Sequence, residues 1–256
     1  TISIKSLFII SIAEYIDFAY LVDLAIIDNY LRSIILEIAL DIEHYSKLKL
    51  LHCLENNKSE DGYSIVKDFM VNQGQNRQVI EKRIIEKCNN CYVGDIIQHY
   101  DGNYPAWTLI EIISFGDYLK FYKFCADRWN DKDLLNDFYL MRDVKALRNA
   151  AAHNNCILND ITIKDSKHKI NHAVKISLKT IKHQRNDKHL SKEKTRQIVT
   201  LLYTSIHIIT SVGVKSKIKN QLIFFKKRVY RDYSYDFNPK LKATFDYLFD
   251  AIDIYY

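Results

Sequence analysis

Helix breakers are almost absent from this chain: two prolines and six glycines punctuate 256 residues. Such a backbone favours long uninterrupted helices, because Pro and Gly are the residues that end them. Hydrophobic residues make up 48% of the chain, enough for those helices to bury a core. Tyr and Phe are abundant, yet the alternation that marks strands is scarce. The sequence therefore predicts an all-α protein.

Apolar stripes place the helices. Tyr15, Phe18, Val22, Ala25, Ile26 and Asn29 approximate a first stripe, and Asp28 is placed to cap the helix that follows. Leu31, Ile34, Ile35, Ile38, Ile42 and Tyr45 mark an amphipathic helix reaching Asn56, with Arg32, Glu37, Asp41 and Glu43 on its polar side. Short helices follow over 63–70, 79–88 and 92–100. Asp101 to Pro105 is a turn before a helix from Ala106, which Phe115-Gly116 ends or bends. Asp131 to Asp133 supply the next N-cap. Downstream, 172–181 reads as a short helix and 184–190 as a loop. Residues 193–212 form a long apolar helix broken by Gly213, and helices over 215–230 and 241–252 close the chain.

No apolar run approaches the roughly 18 residues that span a bilayer. The apolar opening, Ile2 to Ala13, contains Lys5, precedes Glu14 and lacks a small-residue cleavage site, so it does not read as a signal peptide. Five cysteines at irregular positions predict reduced thiols and a cytoplasmic location. Cys88 and Cys91 form a lone C-x-x-C without a second ligand pair, which reads as two incidental thiols rather than a zinc site.

The stretch that carries chemistry is Leu147-Arg148-Asn149-Ala150-Ala151-Ala152-His153-Asn154. Leu134, Phe138, Met141, Val144, Leu147 and Ala151 recur at three- and four-residue steps, one face of a helix. Continued, that helix stacks Asn149 and His153 at i and i+4, and the long Arg148 side chain can reach back towards the imidazole. An arginine, an amide and a histidine together can grip a phosphate and move a proton. On spacing alone a simpler reading stands: a surface helix with a solvated arginine and a histidine at the C-terminus, where a cation suits the dipole.

The Arg-Asn-x-x-x-His core, followed by Asn154 and Asn159, resembles the signature of the HEPN superfamily, in particular the Abi-like (AbiD/AbiF) abortive-infection proteins. Pro105-Ala106-Trp107-Thr108-Leu109-Ile110-Glu111, followed by Phe115-Gly116, is similar to the Pro-x-Trp-x-x-x-Glu and Phe-Gly block that precedes the motif in that family. Leu31 to Leu54 echoes its long first helix. The resemblance covers residues 20–165. It departs from the pattern at Cys156 and Leu158, where family members often carry an arginine and an aromatic residue. It implies a HEPN-type helical bundle over 1–165, with additional helices in a basic, aromatic region over 166–256 packed on the same core.

The same resemblance implies a metal-independent endoribonuclease of anti-phage defence, or a toxin, leaving 2′,3′-cyclic phosphate and 5′-hydroxyl ends and needing no cofactor. His153 would be the acid or base, a task for which imidazole is suited. Arg148 would stabilise charge on the phosphate, and Asn149 would orient His153 or donate to the phosphate. Asn154 would support them. Glu111 falls at helical spacing with Trp107, Ile110 and Ser114, which predicts an inward carboxylate. It would either be held by an arginine or backbone donors, or orient Arg148. HEPN proteins pair two motifs across a dimer and this chain has one, so a homodimer is expected. A regulatory small RNA or an antitoxin is a further expected partner, and a membrane is not. The competing class is a non-catalytic helical module that binds RNA or a partner protein.

Charge supports an RNA partner. Residues 164–196 hold eleven Lys or Arg against three acids, while the whole chain carries only +6. Lys164, Lys167, Lys169, Lys175 and Lys179 read either as a solvated stretch or as an electrostatic footprint for RNA. Lys226, Lys227 and Arg228, interleaved with Phe224, Phe225 and Tyr230, read either as a single-strand surface or as the wet side of a core helix. The histidines at 168, 172, 183 and 189 are too irregularly spaced for a metal site.

Overall fold

Phe18 to Asn56 forms one helix without a break, in a computed structural model that describes residues 18–256. The apolar opening read at Ile2 to Ala13 lies outside the described residues. Twelve helices follow in order among those described: α1 (Phe18–Asn56), α2 (Ser64–Asn72), α3 (Asn76–Ile85), α4 (Gly94–Tyr100), α5 (Ala106–Ile112), α6 (Phe115–Arg128), α7 (Lys132–Ala152), α8 (His172–Ser177), α9 (His183–Leu190), α10 (Glu193–Ile208), α11 (Val212–Val229) and α12 (Pro239–Tyr255). The only extended pairing among them is a single bridge between Asp165 and Lys192. None of these helices is long and apolar enough to cross a membrane. The all-α expectation is met.

The chain divides into two compact units, one comprising the described residues up to Ile42 together with 140–256, the other comprising 43–139. Residue 165 falls inside the first. There, Leu31, Ile35 and Ile38 of α1 meet Leu201 and Leu202 of α10, Leu222 and Phe225 of α11, and Leu248 and Ile252 of α12. Two buried arginines staple this core. Arg196 on α10 is 1% exposed and makes a two-pronged contact with Asp143 on α7, while its Nε donates to Ser166 at 2.9 Å. Arg228 on α11 pairs with Asp23 on α1, which also accepts from the Tyr235 hydroxyl. Removing one member of such a buried pair strands the other charge, which costs about 3–5 kcal/mol.

In the other unit, the Pro-x-Trp block has a structural task. Ala106 N–H donates to the Gly62 carbonyl at 2.8 Å, and the Trp107 ring lies over Gly62 so closely that a Cβ there would sit 2.4 Å from its Cζ3. Gly62 is therefore fixed by close approach rather than by a turn. Tyr118 donates to Ser46 at 3.1 Å, and Tyr122 and Lys49 both donate to the buried Asp137.

Four local expectations are corrected. Asp28 does not cap a helix; it lies inside α1 and is buried. The break after α5 comes at Ser114, whose hydroxyl accepts from Asp117 N–H at 3.1 Å, so Phe115 and Gly116 open α6 instead of ending α5. Gly213 does not end α10; α10 stops at Ile208, and Gly213 sits in the first turn of α11 behind its cap Ser211. Residues read as a loop form α9, because Asn186, His189 and Leu190 are buried at helical spacing despite two polar letters.

His189 stacks on Tyr247, ring centroids 4.5 Å apart. Burial, with help from Arg185 and Lys188, lowers its pKa to about 4. An unfolded imidazole titrates near 6.5, so between 6.5 and 4 the unfolded chain binds the extra proton. This contribution to stability is therefore intact above 6.5 and is lost as pH falls towards 4. Urea unfolding should show wild type losing about 3 kcal/mol more than His189→Phe between neutral pH and pH 4. Parallel losses in the two proteins would contradict the assignment.

Candidate functional site

The Arg-Asn-x-x-x-His stretch closes α7. Asp131 starts this helix by accepting from the backbone of Asp133 and Leu134 at 2.9 and 3.0 Å. Met141, Val144, Leu147 and Ala151 bury its apolar face. At the other end Asn154 takes φ +54°, the left-handed conformation that asparagine tolerates better than most residues. Asn155 N–H then returns to the Ala150 carbonyl at 2.9 Å and Asn154 N–H to the Ala151 carbonyl at 3.0 Å. These two bonds are a Schellman stop. His153 is the last residue before the reversal, with its N–H on the Asn149 carbonyl at 3.0 Å.

Arg148 and Asn149 are half-buried and His153 is exposed. Arg148 Nη1 donates to Asn149 Oδ1 at 3.3 Å, leaving the amide nitrogen of Asn149 as the polar group it can offer outward. The His153 ring makes no hydrogen bond among the described residues. What the fold fixes is therefore its Cα–Cβ direction, through the backbone.

That backbone is held from α1 and α10. Asp28 Oδ1 accepts the N–H groups of Ile157 and Leu158 at 2.7 and 2.8 Å, and Asp28 Oδ2 pairs with Arg32 at 3.0 Å. Arg32 Nη1 donates to the Asn154 carbonyl at 3.1 Å. Lys194 reaches the carbonyls of Cys156, at 3.2 Å, and Asn159. Burial lowers the Lys194 pKa. The Cys156 thiol is pushed up, first by burial and then by the Asp28 charge, which keeps it protonated at neutral pH. Sequence reasoning read Asp28 as a helix cap, missed Lys194 and placed Arg32 on a polar face, whereas Arg32 is 9% exposed. The available signal was an Asp–Arg pair one turn apart within an otherwise apolar stripe.

Glu111 was expected to face inward. It is exposed and pairs with Lys47 at 3.4 Å, because its position on the short α5 points away from the buried Leu109, Ile110 and Ile112. Arg228 was read as part of an RNA surface, but it is 4% exposed and committed to Asp23. Lys175 and Lys226 are engaged by Asp187 and Asp253. Lys164, Lys167, Lys169, Lys179 and Lys227 are exposed. Cys88 and Cys91 are free thiols, and no cluster of three or more His, Cys, Asp or Glu able to hold a metal occurs among the described residues.

A family model described as "Abi-like protein" matches residues 10–159, more than half of the chain. No curated protein and no solved structure matches it.

The left-handed geometry of Asn154 gives a direct check on the turn. In thermal or urea unfolding Asn154→Gly should match wild type to within about 0.5 kcal/mol, while Asn154→Val should lose about 1–2 kcal/mol. Equal stability of the two variants would mean that position 154 is not left-handed.

Proposed function

The chain belongs to the Abi-like protein family, which supports a role in abortive infection and defence, and we propose that it fills this role as a metal-independent HEPN endoribonuclease. The observation that carries the proposal is the grouping at the end of α7: the Arg148 guanidinium bonded to Asn149, with His153 exposed at the helix terminus. The ribose 2′-OH attacks the adjacent phosphorus and the bond to the 5′-oxygen breaks. The products are a 2′,3′-cyclic phosphate and a 5′-hydroxyl. His153 takes or returns the proton. Arg148 stabilises charge on the non-bridging oxygens, and the Asn149 amide donates to the same phosphate. A lone imidazole does not easily serve as acid and base in one step, so two copies of the chain supply one His153 each in a homodimer.

Lys164, Lys167, Lys169 and Lys179 attract the RNA backbone without reading bases. A toxic nuclease must be restrained, and a small RNA or an antitoxin that co-purifies with the chain is the proposed restraint. The second reading, a non-catalytic binding module, draws on Cys156, a neutral thiol where the resemblance expects an arginine.

Incubation with labelled RNA in EDTA separates the two readings. Wild type should leave cyclic-phosphate ends. His153→Ala and Arg148→Ala should each cut about 10²–10⁴-fold more slowly with unchanged circular dichroism. Wild-type rates in both variants would reject the assignment.

A further inference from the structure

We propose that Asp28 and Arg32 are positioning residues for His153, acting through the backbone of residues 154–158. The inference rests on the nuclease reading for its catalytic consequence, but its structural part does not. His153 is exposed, and its ring makes no hydrogen bond among the described residues. A catalytic imidazole is ordinarily aimed by a carboxylate or carbonyl on its second nitrogen. Here the fold fixes the main chain on either side of the residue, and with it the point from which the ring is presented.

On the upstream side the ordinary helical bond to the Asn149 carbonyl fixes the His153 N–H. On the downstream side the Schellman bonds hold the N–H groups of Asn154 and Asn155, and the chain beyond them would swing without further anchors. Arg32 stops the swing by holding the Asn154 carbonyl at 3.1 Å. Asp28 stops it again by gathering two consecutive amides, Ile157 and Leu158, on one oxygen at 2.7 and 2.8 Å. The two side chains also hold each other at 3.0 Å, one turn apart on the same helix. Arg32 is further fixed by Asn29 at 3.3 Å. Asp28 is 3% exposed and Arg32 9%, so water competes little for either. A catalytic group displaced by about 1 Å loses roughly 10²-fold in rate, and this pair guards against such a displacement from the α1 side.

The test follows His153 directly as well as through catalysis. Asp28→Asn keeps the shape but weakens both amide bonds and the pair with Arg32. In histidine-labelled protein its His153 ring resonances should shift or broaden, and the Ile157 and Leu158 amides should exchange at least about ten-fold faster. With a labelled single-stranded RNA, kcat should fall about 10²-fold while Kd stays within about two-fold. Arg32→Gln leaves the Asp28 amide bonds in place and should lower kcat by a smaller factor, which Arg32→Lys partly restores; this pair carries the test if Asp28→Asn does not fold. Unchanged His153 resonances in a folded Asp28→Asn or Arg32→Gln overturn the proposal. If wild type cleaves no RNA, the nuclease reading fails, and the His153 resonances alone decide whether the pair aims the ring.

Discussion

One buried carboxylate sets the geometry on which the candidate site depends. Asp28 is 3% exposed within α1, where an isolated charge would cost several kcal/mol. The cost is offset by a guanidinium and two backbone amides, all within hydrogen-bond distance. Each of those partners is also satisfied by the arrangement: the amides belong to chain that has just left a helix and has no ladder to join. The same contact therefore neutralises a charge inside one helix and fixes the path of the segment after another.

The segment so fixed begins at His153. A Schellman stop ends α7, and the residues beyond it are bound to α1 through Asp28 and Arg32 and to α10 through Lys194. Arg196, also on α10, holds Asp143, five residues before Arg148 on α7. The helix and the loop are thus anchored independently. That leaves Arg148, Asn149 and His153 on a rigid terminus, with the histidine facing solvent, a suitable condition for groups that must meet a substrate in one geometry.

Much of the fold was legible because helical periodicity is a local property. The stripes over 31–45 and 134–151 predicted buried faces, and Ile35, Ile38, Val144 and Leu147 are buried. Failures arose where the deciding partner is remote or has no side-chain signature. Asp28 is held by backbone amides 129 and 130 residues away, and a backbone amide looks the same at every position. Arg228 read as surface charge because Asp23, which buries it, lies 205 residues distant. Asn186 and His189 read as loop letters, though Asn186 is held by the carbonyls of Leu178 and Ile181 and by Tyr247, and His189 by stacking. A histidine closing its helix was one reading of the spacing; the clamp that holds it there was not legible.

The buried cations among the described residues are all arginines, whereas the cations of residues 164–179 are all lysines, and the difference bears on what the basic segment can do. The buried cations that span elements, Arg32, Arg196 and Arg228, are arginines, each meeting a carboxylate with a planar group that is less hydrated than an ammonium. The exposed cations along 164–179 are lysines, point charges on flexible stems. Arginine at those surface positions would add two-pronged, orientation-dependent recognition; lysine adds attraction that hardly depends on how a phosphate presents itself. The block of positive charge in the sequence thus overstates the positive surface, since part of it is spent inside the fold. What is left outside suits gathering a polyanion from any direction, and any selectivity would have to come from the narrower arrangement at the end of α7.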